Sequence, residues 1–139
     1  MADISLNENR LGLLIWQTSN IWQSKLRKIL TKYGLTLNEY LILESTIRLL
    51  QNRKELSQIE ISIFAGIDIS VASVNFKSLE NKKLIIRKIK KDNRKKIVEI
   101  LANGIKLHNK VNPQVIEEEL NIFSKLHNEV HNFKNSLKL

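Results

Sequence analysis

Apolar residues recur at helical spacing along most of the chain, and the period changes only once. Leu11, Leu14, Ile15, Trp22, Leu26, Ile29 and Tyr33 share one stripe, which predicts a first helix from about Leu6 to Tyr33. Gly34 stops it. Leu13 and Trp16 lie off that stripe, so this helix carries apolar surface that one chain's core need not cover. Thr36 with Glu39 three residues later is a capping box, and Leu35 with Tyr40 a hydrophobic staple; together they open a second helix that runs to about Gln51. Ser57 and Glu60, flanked by Leu56 and Ile61, repeat the device and start a short helix that ends at Gly66. Asp68 or Ser70 then caps a further helix. At 100° per residue its Ile69, Ala72, Phe76 and Leu79 face inward and Ser70, Val71, Val74, Lys77 and Ser78 face outward. A short helix, a Gly-containing turn and a second helix make a helix-turn-helix.

After Leu84 the alternation becomes that of strands. Ile85, Arg87 and Ile89 alternate with Ile86, Lys88 and Lys90; Asp92 to Lys95 form a polar turn; Ile97 to Leu101 return as a second strand. Beyond the hairpin, Ile105, Val111 and Val115 predict a helix interrupted near Pro113. Ile116, Leu120, Phe123, Leu126, Val130, Phe133 and Leu137 continue a narrow stripe, with a break near Ser124. The expected fold class is mainly α: a three-helix core with a β-hairpin wing over residues 36–101, within a single domain of residues 1–139. The helical segments 1–33 and 102–139 exceed what so small a lobe can cover, so a two-fold homodimer is expected through them.

The 139 residues, 42% hydrophobic, suffice for one real core. Charge sharpens the picture. Between Lys77 and Lys110 lie twelve basic residues against Glu80, Asp92 and Glu99, which accounts for the whole net charge of +9. So local a basic excess is the electrostatic footprint of a polyanion partner, although a Lys-rich solvated surface is the ordinary alternative. The outward face of the 68–81 helix presents Val71 and Val74, apolar groups suited to thymine methyls in a DNA major groove. The absence of Cys excludes disulfides and Cys-ligated zinc. No apolar run approaches the roughly 18 residues of a membrane span, and a cytoplasmic protein without membrane contact is expected.

Catalytic chemistry finds little to stand on. There is no glycine-rich phosphate loop, nucleophile elbow or Cys–His pair, so no enzyme and no cofactor is expected. His127 and His131, four apart, have metal-ligand spacing but fall off the apolar stripe and would need further ligands. The Glu117–Glu118–Glu119 run reads as a solvated helix face.

The hairpin carries a family resemblance. Asp92, Arg94, Ile97, Val98, Ile100 and Gly104, with the Gly twelve residues after the Asp, resemble the wing of winged helix-turn-helix regulators of the multiple antibiotic resistance regulator (MarR) family. Ser78-Leu79-Glu80 and Leu84-Ile85 resemble the end and exit of that family's recognition helix. Lys83 stands where the family usually has Gly, in a left-handed conformation that costs another residue roughly 1 kcal/mol. Leu101 stands where a Thr normally caps the next helix, and Asn103 is a candidate substitute cap. The resemblance implies a dimeric regulator of transcription, usually a repressor, released when a small-molecule effector enters a crevice between the DNA-binding lobe and the dimer helices.

On this reading the partner is double-stranded DNA with a pseudo-palindromic operator. Ser70, Val71, Val74, Lys77 and Ser78 are the candidate base or backbone contacts, and Arg94 at the wing tip the candidate minor-groove contact, with Asp92 its family neighbour and orienting residue. Lys88, Lys90, Lys91, Lys95 and Lys96 are candidate phosphate contacts. The outward helix face has no Arg for guanine, so an A/T-rich operator is expected. Two alternatives remain: a helical protein-interaction module on the same scaffold, and RNA binding, against which stands the lack of aromatics among the basic residues.

Overall fold

The computed structural model describes residues 10–92, 94–124 and 135–137. Helix α1 (Leu11–Thr31) ends in a turn where Gly34, at φ +70°, lets the Leu35 amide donate back to the Leu30 carbonyl at 3.1 Å. Helix α2 (Leu37–Leu50) opens on the expected capping box: the Glu39 amide donates to Thr36 Oγ1 and the Thr36 amide to Glu39 Oε1. Helix α3 (Gln58–Ala65) uses half of that device. Ser57 Oγ accepts from the Glu60 amide, whereas the Glu60 carboxylate takes the Ser57 hydroxyl and not its amide. Gly66, left-handed at φ +71°, closes it, and the chain turns by 114° into α4 (Ile69–Asn81), capped by Asp68. These two helices are the predicted helix-turn-helix.

Helix α4 stops in a Schellman motif. Lys83, at φ 60°, donates to the Glu80 carbonyl at 2.9 Å, and Leu84 to that of Leu79 at 3.1 Å. A left-handed lysine thus occupies the position where glycine would be unstrained. Strands β1 (Ile85–Ile89) and β2 (Lys96–Ile100) follow, antiparallel, in the register Ile85 opposite Ile100 and Ile89 opposite Lys96. The stretch before α3 adds to the other edge of β2: the Val98 amide donates to the Leu56 carbonyl at 2.9 Å, and Ser57 bridges Ile97.

Helix α5 (Ala102–Phe123) runs back across α1 and α2. Its start explains Gly104, where a Cβ would collide with the Leu84 carbonyl oxygen and come within 3.0 Å of Ile100 Cγ1. The root of the wing and the first turn of α5 therefore touch through backbone. The core lies under α2 and draws on every element: Leu26 and Leu30 from α1, Tyr40, Ile42 and Leu43 from α2, Ile61 from α3, Phe76 and Leu79 from α4, Ile85 and Val98 from the strands, and Val111 and Val115 from α5.

Several expectations are corrected. The predicted start of α1 near Leu6 lies outside the described residues. Leu11, Leu14 and Ile15, placed on the packed stripe, are exposed together with Leu13 and Trp16; α1 reaches its own core only from Trp22 onward. Ile69, expected to face inward, is 51% exposed and lines a cleft beside the wing tip instead. Asn103 does not cap α5: Leu101 occupies the cap position in extended conformation, with no side-chain hydrogen bond. Helix α5 passes through Pro113 uninterrupted, and the second helix expected beyond Ser124 falls mostly outside the described residues. His127 and His131 fall outside the described residues.

Candidate nucleic-acid interface

One cleft brings together four of the candidate contacts, Ser70, Arg94, Lys95 and Lys96. The wing tip, the start of α3 and the N-terminal half of α4 enclose a cleft of about 980 Å³, lined by Ser57, Gln58, Ile59 and Glu60 from α3 and its cap, by Asp68, Ile69, Ser70 and Ser73 from α4 and its cap, and by Arg94, Lys95 and Lys96 from the wing. Ser73 and Ile69 were missed in the sequence: Ile69 was assigned to the core, and a lone Ser on a helix flank carries no signal.

Along α4, Val74 is 71% exposed and Val71 44%, as a face turned to solvent requires, and Lys77 is exposed between them and the helix end. Ser70 is also exposed, but its hydroxyl and amide both donate to the Asp68 carboxylate. Those two hydrogen bonds, side-chain first, pull Asp68 below its ordinary range and keep it ionised at the helix N-terminus. Ser78 departs from the expected face. Its hydroxyl donates to Glu39 Oε2 at 2.6 Å, so that end of α4 is tied inward.

The basic residues divide into two groups. Arg87 is largely covered: its guanidinium donates to Glu80 Oε1 at 3.0 Å and Gln58 Oε1 at 3.2 Å, and its amide donates to Glu80 Oε2 at 3.1 Å. The hydrogen bond from Arg87 is the main reason that Glu80 lies below the usual carboxylate range. Lys82 is likewise engaged, donating to Glu39 Oε1 at 2.8 Å and the Gly34 carbonyl at 2.6 Å. These two cations brace the fold. Lys88, Lys90, Lys91, Arg94, Lys95 and Lys96 are all exposed along the wing. Lys88 meets Glu99 at 3.2 Å and Lys90 meets Glu55 at 3.0 Å, surface pairs of the kind worth about 1 kcal/mol or less. Such pairs yield readily to a denser anion.

Arg94 sits at the tip with φ 53°, its amide donating to the Lys90 carbonyl at 2.9 Å. A positive φ costs a non-glycine residue roughly 1 kcal/mol and turns the side chain off the strand line. Asp92 shares the tip, but among the described residues no ion pair joins it to Arg94, so the expected orienting contact is not formed in the free protein. No group of residues with metal-binding composition occurs among the described residues.

No family model matches the chain. A curated relative, the uncharacterized HTH-type transcriptional regulator YdcH of Bacillus subtilis (strain 168), is 29% identical over 76 residues, which are 55% of this chain and 52% of that protein. The match thus spans about half the length of the relative. Among solved structures, a MarR-family transcriptional regulator from Silicibacter pomeroyi superposes with a TM-score of 0.79 at 22% identity, covering 99% of this chain and 91% of that one. The Staphylococcus aureus MepR–DNA complex gives 0.76 at 24%, covering 90% and 89%. CouR from Rhodococcus jostii RHA1, bound to p-coumaroyl-CoA, gives 0.79 at 18%, covering 94% and 91%. At these identities the likeness is one of fold, and the resemblance read from the wing residues is borne out at that level.

Proposed function

We propose, for a chain that has the fold of the MarR-family transcriptional regulators, that it is a cytoplasmic, non-catalytic regulator binding a pseudo-palindromic, A/T-rich operator as a homodimer. Each copy lays α4 in a major groove, with Val71, Val74 and Lys77 toward the bases, and the two half-sites lie about one helical turn apart. Arg94 enters the flanking minor groove, and Lys88, Lys90, Lys91, Lys95 and Lys96 take the phosphates. The observation that carries the reading is the α4 face open to solvent at Val71, Val74 and Lys77, together with the exposed wing cations Arg94, Lys95 and Lys96 across the cleft from the start of that helix.

Dimerisation rests on the exposed Leu11, Leu13, Leu14, Ile15 and Trp16 of α1 and the exposed Ile116 and Leu120 of α5. Contiguous apolar surface of this kind marks an interface. Light scattering at micromolar concentration should return about twice the 16.2 kDa chain mass.

Repression relieved by a small molecule fits the corner where α1, α2 and α5 meet. There Tyr40 donates to Glu44 Oε1 or Asn112 Oδ1, 3.1 and 3.0 Å away, and stacks on a buried His108 whose ring nitrogens lack hydrogen-bond partners in the structure. Burial, with Glu44 close by, raises the Glu119 carboxyl. Selection from random duplexes, followed by genomic binding sites of the tagged protein, tests the whole reading. An A/T-rich inverted repeat is expected. A protein that enriches no duplex and captures protein partners instead would be an interaction module on the same scaffold.

A further inference from the structure

The end of α4 is fastened to the corner between α1 and α2 by a small polar knot. Glu39, with its side chain 2% exposed, takes three donors: the Thr36 amide and Lys82 Nζ on Oε1, each at 2.8 Å, and the Ser78 hydroxyl on Oε2 at 2.6 Å. Lys82 Nζ also reaches the Gly34 carbonyl, at the left-handed turn where α1 gives way to α2. A carboxylate so buried is kept only when its oxygens are filled and its charge answered. Burial alone would raise Glu39, but the hydrogen bonds from Lys82, Ser78 and Thr36 outweigh it and hold the group below its ordinary value.

The capping box accounts for one of these donors. The other two come from the end of α4, Ser78 in its last turn and Lys82 as its C-cap, 39 and 43 residues farther along the chain. Lys82 thus joins three points that the backbone alone leaves independent: the last turn of α4, the first turn of α2, and the end of the helix that carries the exposed terminal apolar surface.

We infer that Lys82 and Glu39 are positioning residues for DNA recognition, fixing the angle of α4 against the α1–α2 corner and hence the separation at which two copies present their reading helices. The inference rests on the dimeric DNA-binding reading above. It gives Lys82, which the sequence shows only as one of the twelve basic residues between Lys77 and Lys110, a task other than binding phosphate.

Full-length Lys82→Met, Lys82→Arg and Glu39→Gln proteins, each checked for parental helicity by circular dichroism, are compared on the selected operator and on duplexes with one base pair added or removed between half-sites. Lys82→Met should bind the parental spacing on the order of tenfold more weakly and discriminate spacing less, with the salt slope unchanged; Lys82→Arg should recover most of both. Glu39→Gln should relax spacing in the same sense. A salt slope about one unit lower in Lys82→Met, with spacing preference intact, would make Lys82 a phosphate contact and overturn the inference. Hydrogen exchange on the free protein reads the same tie without DNA. Amides from Leu79 to Leu84 should lose protection in Lys82→Met, and unchanged protection there would also overturn it. A parent chain that selects no duplex would instead sink the DNA-binding reading, with the exchange result still standing for or against the tie.

Discussion

The reading helix and the wing face each other across one cleft, yet they are built on opposite plans. From Gln58 to Asn81 the helix-turn-helix carries a single Lys against Glu60, Asp68 and Glu80, whereas from Lys82 to Lys96 the chain has nine basic residues against Asp92 alone. Helix α4 is tied through side chains, its Ser78 donating to Glu39 of α2 and its own Glu80 accepting from Arg87 of β1. The wing is held mainly by a main-chain ladder and by Val98 pairing with Leu56, with its largely covered Arg87 fixed to Glu80 and Gln58. On the proposed reading α4 discriminates with little charge, and the wing, Arg94 apart, binds with little discrimination. Attraction to phosphate falls steeply with salt and is blind to sequence, so placing it on a separate element lets the helix present a nearly neutral face to bases.

Removing the footing that both share should have the largest effect. Gly104→Ala drives a Cβ into the Leu84 carbonyl at the wing root, and thermal unfolding should show a loss of about 2 kcal/mol, with both kinds of DNA binding weakened together. Loss of only wing-dependent binding at unchanged stability would show that the junction adapts.

Arg94→Ala separates the two regions. We expect a cost on the order of 1 to 3 kcal/mol on the cognate operator and a reduced preference for A/T flanks. Arg94→Gly relieves the positive φ while deleting the cation, so it should match the alanine variant in DNA binding and exceed it in stability. Parental affinity for both cognate and scrambled duplexes would remove the wing from the reading apparatus.

Acid should act on the helix first. Glu39 is lowered from its usual 4.5, so its contribution is present above 4.5 and is lost as pH falls through the lower folded value. Urea titrations below pH 5 should show stability declining, with a shallower decline in Glu39→Gln. An equally steep decline in that variant would place the acid sensitivity elsewhere, with Glu60 and Glu80 next in line because hydrogen bonds lower them as well.

Smaller effects sharpen the contrast. Val74→Ala should cost about 1 kcal/mol on the operator through loss of thymine preference at one position, with no change in salt slope. Glu99→Gln should do the reverse: it frees Lys88 and removes an anion from the wing, strengthening cognate and scrambled binding alike by less than about 1 kcal/mol. Altered base preference in Glu99→Gln would mean that the wing reads sequence along its length.

What was legible in the sequence was mostly local chemistry. Thr36, Ser57 and Asp68 cap the helices they were expected to cap, and Gly34 and Gly66 adopt the left-handed turns that end helices, because each such interaction spans only a few residues. Lys83 was legible only through family likeness, since nothing in a lysine announces a positive φ. Burial was less legible. A helical wheel orients residues about their own axis and does not say which side meets the core, hence Ile69 on the wrong side and Leu11, Leu14 and Ile15 on a stripe the chain leaves uncovered. Counting charge also missed which cations are engaged, because Lys82 meets Glu39 only after α2 and α4 have packed. Pro113 misled for a simpler reason. Its ring lies on an exposed face beside an exposed Asn109, where water can satisfy the carbonyl that loses its donor, and the helix continues.

That unbroken α5 has a mechanical consequence. Its 22 residues make a rod of about 33 Å, with one end butted through Gly104 against the wing root and the other at the exposed apolar terminal surface. A rod of that length is a lever. A tilt of about 6° about its far end carries the wing root through roughly 3.4 Å, the rise of one base-pair step along a DNA strand. Because Val111 and Val115 of the same rod sit in the core, such a tilt has to be taken up by the packing of α5 on α1 and α2, which couples the terminal surface to the position of the wing.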